Sequence, residues 1–261
     1  MTVPDIKSLQ WTISVVSHGH GANVSAGLLD VHGQLQDVEH RFVLTLNAGE
    51  DPAFVTQLPE SIQNRLHVIR NQMPRGFAAN HNAALRGCRS RYVLVADPDL
   101  RLPQPVFSAL QASLEQPECG IVAPLAQTSS GNAEDNGRDL VTPAAILRRK
   151  LLGRGRDVPA NATSSRNVTW LAGLFLAMRA DTFHRLNGFD ERYFMYCEDV
   201  DICLRARQLG LSVNQLCDLR ITHDANRGTS HSPRHFIWHS QSLLRLWRSD
   251  VYKAARAANR L

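Results

Sequence analysis

The sequence contains no C-x-x-C pair, and its five cysteines, Cys88, Cys119, Cys197, Cys203 and Cys217, are odd in number. Both facts argue against a disulfide scaffold or a cysteine-ligated zinc site, and for a reducing compartment. No apolar run reaches the roughly 20 residues of a membrane span, and the N-terminus lacks the basic-then-apolar pattern of a secretory leader. There is no Gly-Lys-Ser/Thr ending to any glycine loop, so a Walker-type phosphate site is absent. Excess charge is also scarce: 29 Lys plus Arg against 24 Asp plus Glu leave +5. That suits an anionic substrate or a contact with anionic lipid, and by itself singles out no partner. What remains is 261 residues, 43% hydrophobic and 20% charged. This is an ordinary globular composition, long enough for one large domain with a core.

Short β-rich runs alternate with helical stretches. Trp11-Thr12-Ile13-Ser14-Val15-Val16 predicts a strand ending at the turn-forming His18-Gly19-His20-Gly21, with a helix over residues 24–35. Strands follow over 41–46, 66–69 and 92–96, with a helix over 80–88 that Asn80 would cap. Tyr92-Val93-Leu94-Val95-Ala96 is almost wholly apolar, as a strand buried on both faces should be. A helix over 104–114 and a strand over 120–124 complete an alternation that predicts a mainly parallel α/β sheet flanked by helices. Residues 128–166, rich in Ser, Asn, Gly and Arg, read as a mobile basic insertion containing Arg148-Arg149-Lys150. Order returns over 169–178. The tail from Pro233 reads as helical, with Phe236, Leu243, Trp247 and Val251 near one face and Arg245, Arg248 and Lys253 around it.

Asp97-Pro98-Asp99 follows the apolar strand directly. Ligands of open α/β sheets bind beyond the carboxyl ends of strands, and two carboxylates there are costly to desolvate without a positive partner. A hard divalent cation shared with a diphosphate would supply one; the same tripeptide is also ordinary turn sequence. Glu198-Asp199-Val200-Asp201 stands where acids favour a helix start. Beside Phe189, Tyr193, Phe194 and Tyr196, however, a carboxylate can have a raised pKa and serve as a general base, and Asp199 is the candidate. Asp201 suits a structural pairing with Arg205 four residues on. His223, after the apolar-polar run 219–222, can ligate a transition-type cation. His231, His235 and His239 leave a zinc alternative open. Gly76 lies in a loop leading into a helix, where anions are attracted.

In order and spacing these segments resemble glycosyltransferase family 2, in its bacterial rhamnosyltransferase-like branch. The matching pieces are Ser14-Val15-Val16-Ser17-His18, the stretch from Asn71 to Asn82, Asp97-Pro98-Asp99, the run from Gly188-Phe189-Asp190-Glu191 to Glu198-Asp199-Val200-Asp201, and Thr222-His223. The resemblance covers residues from about 11 to about 247. It implies a GT-A fold with a Rossmann-like sheet, as one domain over 1–261. A nucleotide-binding half would lie over about 11–125, an acceptor half over about 126–230, and a helical tail over about 233–261. It implies that Asp97 and Asp99 engage magnesium or manganese and the donor diphosphate, that His223 is a third ligand, and that Asp199 is the catalytic base. Ser17, His18, Asn47, Gly76 and Asn82 would line the donor pocket. The family's aspartate after the second strand is missing: Leu46 stands there, followed by Asn47.

The implied activity is metal-dependent, inverting transfer of a sugar, rhamnose by this branch, from a nucleoside-diphosphate donor. The acceptor would be a glycan or lipid-linked saccharide in surface-polysaccharide or O-antigen synthesis, with the enzyme cytoplasmic or peripheral on the inner face of the plasma membrane. Competing readings are a nucleotidyltransferase, which should carry a basic phosphate loop that Ser17-His18-Gly19-His20 lacks, a non-catalytic nucleotide-sugar binder, and a nucleic-acid-binding protein. The last gives the acids at 97–99 and 198–201 no purpose, so no nucleic-acid partner is expected.

Overall fold

The computed structural model describes residues 8–134, 136–144, 146, 165–223 and 233–258. The segment with Arg148-Arg149-Lys150, and His231, lie outside them. In chain order the elements begin β1 (Trp11–Ser17), α1 (Ala22–Gln34), β2 (His40–Leu46), α2 (Glu60–Gln63), β3 (Leu66–Arg70), α3 (Phe77–Leu85), β4 (Tyr92–Ala96), β5 (Leu100–Arg101), α4 (Phe107–Leu114) and β6 (Cys119–Gln127). They continue β7 (Gly137–Arg138), β8 (Arg166–Asn167), β9 (Trp170–Leu171), β10 (Phe175–Arg179), α5 (Ala180–Arg185), α6 (Glu198–Gln208), β11 (Ser212–His223), α7 (Pro233–Arg248) and α8 (Asp250–Ala258).

The main sheet runs β3-β2-β1-β4-β10-β6-β11-β5. β3, β2, β1 and β4 are parallel neighbours, β10 runs against them, and β6 and β11 are again parallel to each other. The apolar run at 92–96 explains the centre: all five residues of β4 are buried, between β1 and β10. Trp11 stacks on Tyr92 (4.9 Å) and meets Phe107 edge-on (5.1 Å), joining β1, β4 and α4 into one core. All five cysteines are free thiols.

Several boundaries moved for identifiable reasons. Helix α3 starts at Phe77, capped by Gly76 and not by Asn80. The Asn80 side chain instead binds the preceding loop, donating to Arg75 O (3.0 Å) and accepting from Asn71 Nδ2 (2.8 Å). The stretch 169–178 holds two strands, interrupted where Gly173 N donates to Asp199 at the start of α6. Part of the expected mobile insertion is built into the fold: Asn136 is 1% exposed and binds Ala126 N, Pro124 O and Gln215 Nε2. The tail breaks at Ser249 into α7 and α8, where Ser249 Oγ accepts from Tyr252 N (3.2 Å). Leu243 and Leu246 pack inward and Trp247 donates to Val141 O (3.0 Å), so α7 docks on the domain. Phe236, read as part of the inner face, is 72% exposed. Among the described residues no helix is long and apolar enough to cross a membrane.

Candidate active site

β4 delivers the first acids. After Ala96 the backbone continues its pairing through Asp97 N to Leu174 O (2.8 Å), and Asp99 follows after Pro98. The short β5 then pairs antiparallel with the end of β11, His223 opposite Leu100. A residue 124 positions away in sequence (223 − 99) is thereby set beside Asp99. His223 Nε2 lies 3.7 Å from Asp97 Oδ2 and 3.6 Å from Asp99 Oδ1, too far for hydrogen bonds. Its Nδ1 is 2.8 Å from Glu134 Oε2. An ionised Glu134 can only accept, so its bond favours a ring proton on Nδ1, which would leave Nε2 to ligate a cation between the two aspartates. Burial works to lower the His223 pKa, but Glu134, Asp97 and Asp99 outweigh it and the pKa is raised. Burial, helped by Asp99 and Asp199, pushes Asp97 up to about 6 against the pull of His223.

This donor set fits a divalent cation. One atom from each of Asp97, Asp99 and His223 lies within 4.8 Å of the others, the only such trio of His, Cys, Asp or Glu among the described residues. Bonds of about 2.1 Å to one octahedral cation hold neighbouring ligands roughly 3 to 4 Å apart, and His223 stands at such distances from both aspartates. Two carboxylates favour a hard ion, and the imidazole adds affinity for a transition metal such as manganese. His235 and His239 do not contribute. His235 Nδ1 is bonded to Tyr196 OH (2.7 Å), and His239 stacks edge-on against the same ring (5.1 Å).

The second half of the site is the start of α6. Tyr196 (φ 73°) and Cys197 (φ 67°) are consecutive non-glycine residues in the left-handed region, a conformation that costs energy unless its surroundings hold it. The hold comes from α7, through Tyr196 OH with His235 and through Ser242 Oγ donating to Met195 O (2.8 Å). The strained turn presents Asp199 near Asp97, close enough for the Asp199 charge to help raise the Asp97 pKa. Asp199 Oδ2 accepts Gly173 N (3.0 Å) and Oδ1 accepts Val200 N (2.8 Å). Burial raises its pKa, opposed by these amides. Glu198 is buried, with Oε2 lacking a partner, and its pKa is raised further by burial and by Asp199. Asp201 pairs with Arg205 at 2.7 Å, as the i, i+4 spacing predicts.

The remaining expected residues divide. Ser17, at the end of β1, is fully buried with its Oγ unpartnered, and the exposed His18 begins the next turn. Asn47 is committed internally: Oδ1 accepts from Asn71 Nδ2 and Arg75 N, and Nδ2 donates to Arg75 O, each at 3.0 Å. Gly76 is needed for close approach, since a Cβ there would stand 2.1 Å from Phe194 O. That carbonyl accepts Phe77 N (3.0 Å), so this amide of the helix start serves a backbone contact and not an anion. Asn82 clasps the 188–191 turn through Phe189 N and O (both 2.8 Å) and Glu191 Oε1 (3.0 Å), which uses both its N–H donors. Sequence reasoning missed Glu134, because it lies in a stretch read as a loop. Its one signal was that it is the segment's single glutamate, beside Asp135.

Comparison with known proteins agrees with this geometry. The family described as "Glycosyltransferase like family 2" matches residues 43–238. Rhamnosyltransferase WbbL of Escherichia coli (strain K12) is 40% identical over 245 residues, covering 89% of this chain and 90% of that protein. The N-acetylglucosaminyl-diphospho-decaprenol L-rhamnosyltransferase of Mycobacterium tuberculosis (strain CDC 1551 / Oshkosh) is 30% identical over 164 residues, 58% of this chain and 53% of that one. Among solved structures, a mannosyltransferase from Pyrobaculum calidifontis in complex with GDP-Man and Mn2+ superposes with a TM-score of 0.59 at 18% identity, over 97% of this chain and 75% of that one. GalNAc-T7 with UDP, GalNAc and Mn2+ gives 0.62 at 15% identity, over 84% and 44%. The fold is GT-A, and the chain belongs to glycosyltransferase family 2, as an enzyme of its rhamnosyltransferase-like branch.

Proposed function

We propose that this enzyme transfers rhamnose, with inversion, from a nucleoside-diphosphate donor to a hydroxyl of a lipid-linked saccharide, in a cation-dependent reaction of surface-polysaccharide synthesis. The observation that carries this reading is the convergence of Asp97, Asp99 and His223 with Asp199 alongside. Asp97, Asp99 and His223 would hold magnesium or manganese. A cation bound there offsets the charge that develops on a diphosphate leaving group. Mn2+ in both solved neighbours supports that choice, and the two rhamnosyltransferases support the sugar. Asp199 accepts the proton of the attacking hydroxyl as the new carbon–oxygen bond forms and the bond to the diphosphate breaks. The amides of Gly173 and Val200 fix its carboxylate, and its raised pKa strengthens it as a base. One displacement inverts the anomeric centre, and no covalent glycosyl-enzyme is formed.

A lipid-linked acceptor implies work at a membrane surface, on the cytoplasmic face. Helix α7 contains no Asp or Glu. Its outer side exposes Phe236, Ile237 and Leu244 with Arg234, Arg245 and Arg248, a combination that supports peripheral contact with anionic lipid. Turnover of dTDP-rhamnose with a lipid-diphosphate-linked N-acetylglucosamine tests the reading. Asp199→Asn should keep donor binding and lose turnover by about 10²- to 10⁴-fold, and Asp99→Ala should lose metal-dependent donor binding. Near-normal turnover in the first, or an unchanged metal response in the second, would refute the assignment.

A further inference from the structure

Helix α7 meets the turn before Asp199 at three consecutive residues. The Trp238 ring lies 4.8 Å from that of Phe194. Ser242 Oγ donates to Met195 O (2.8 Å). His235 Nδ1 is 2.7 Å from Tyr196 OH, and His239 stands edge-on to the same ring at 5.1 Å. His235, Trp238, His239 and Ser242 follow the i, i+3, i+4, i+7 spacing of one helical stripe. At about 100° per residue, the exposed Phe236, Ile237 and Leu244 lie roughly half a helical turn from that stripe. One helix thus stands between an apolar outer face and the turn that leads to the catalytic base.

The turn needs this support. Tyr196 and Cys197 both have positive φ, and non-glycine residues persist in that region only where their surroundings over-determine it. Asp199 follows Cys197 by two residues, so a relaxed turn shifts the start of α6 and the carboxylate that the Gly173 amide holds. The two faces of α7 differ in what they bind. His235, His239 and Ser242 find hydrogen bonds and ring contacts on the turn, which hydrocarbon would deny them at a cost. The outer face is apolar, Arg234 and Arg248 are exposed, and α7 contains no Asp or Glu. An anionic bilayer therefore suits the helix best when its inner stripe is docked on the turn. A ligand that favours the docked helix raises the share of molecules in which the turn is formed.

We propose that α7 couples lipid contact to catalysis: an anionic bilayer on its outer face tightens the turn on its inner face, and His235 and Ser242 are positioning residues that carry the effect to Asp199. The inference rests on the membrane contact proposed above and adds what that contact does to the catalytic base. Hydrogen exchange of the full chain, with phosphatidylglycerol or phosphatidylcholine vesicles, tests it without reference to turnover. Amides of residues 194–201 should exchange at least about fivefold more slowly with phosphatidylglycerol, the lower end of ordinary coupling between two sites, and phosphatidylcholine should change little. His235→Ala should still co-sediment with phosphatidylglycerol but lose the slowing, and Tyr196→Phe, which removes the other partner of the same bond, carries the comparison if His235→Ala fails to fold. In turnover, each variant should lower kcat at unchanged donor KM and Mn2+ affinity, because the cation ligands stand on other elements. The double variant should be no worse than either single one. Wild type that co-sediments while exchange at 194–201 is unchanged or faster overturns the coupling and leaves the membrane contact standing. Undiminished slowing in both variants overturns the role of His235. Wild type that does not co-sediment overturns the membrane contact and the coupling with it.

Discussion

Glu134 is the residue whose replacement best separates a cation site from a chance cluster of acids. Its carboxylate takes the Nδ1 proton of His223 at 2.8 Å, with side chains only 16% and 12% exposed. Such a charge-assisted bond is shielded from water and fixes both the tautomer and the ring plane. In Glu134→Gln the amide oxygen can still accept, but the negative charge that strengthens the imidazole as a ligand is gone. In Glu134→Ala the ring keeps neither partner nor orientation. Outer carboxylates of this kind are worth roughly 10- to 100-fold in metal affinity. Glu134→Gln should fall near the lower figure and Glu134→Ala near the upper, about 1.4 and about 2.8 kcal/mol. Free Mn2+ counted by electron paramagnetic resonance during titration of the donor-free protein measures this without reference to turnover. The reasoning fails if Glu134→Ala binds Mn2+ within twofold of wild type while His223→Ala weakens it. It also fails if the affinity loss appears only in preparations whose Tm shows partial unfolding.

The pH dependence of stability offers a second check. Asp97 rises from 3.8 to about 6 on folding, so between those values the folded chain holds more protons than the unfolded one, and stability without metal falls as pH rises. His223 is raised above 6.5, so its contribution is complete below that pH and is lost as pH climbs through the folded pKa. A cation takes the deprotonated forms, so the rise in Tm caused by Mn2+ should grow from about pH 5 to about pH 8, and a flat difference would count against ligation by these groups. On the outer side of α7, Ile237→Asp with Leu244→Asp should leave Tm nearly unchanged, since both side chains are about half exposed (52% and 49%). The same pair should sharply reduce co-sedimentation with phosphatidylglycerol vesicles, and undiminished binding would remove α7 from the membrane contact.

Much of the donor side was legible in the chain. The apolar run at 92–96 reads as a strand buried on both faces, and acids directly after such a strand stand at the carboxyl edge where α/β sheets bind ligands. Asp201 with Arg205 was legible because helix spacing is local. Three features were not. The α3 boundary depended on a carbonyl from Phe194, more than a hundred residues away, which Gly76 alone admits. Glu134 lies in a segment without periodicity, and its meaning comes only from His223 arriving through β11. Asn47, Gly76 and Asn82 have the residue types of ligand contacts, yet folding turns their groups inward to join loops.

The sequence by itself determined the alternation of strands and helices, the buried strand that carries Asp97 and Asp99, and the acidic start of α6. Each of these follows from hydrophobic period and turn chemistry within a few residues of chain. Tertiary structure alone decided that β5 would pair with the end of β11 and set His223 against both aspartates, that Glu134 would fix its tautomer, and that α7 would hold the strained turn before Asp199. These are contacts between groups far apart in sequence. Their geometry is set by strand order, register and packing, which no local pattern encodes.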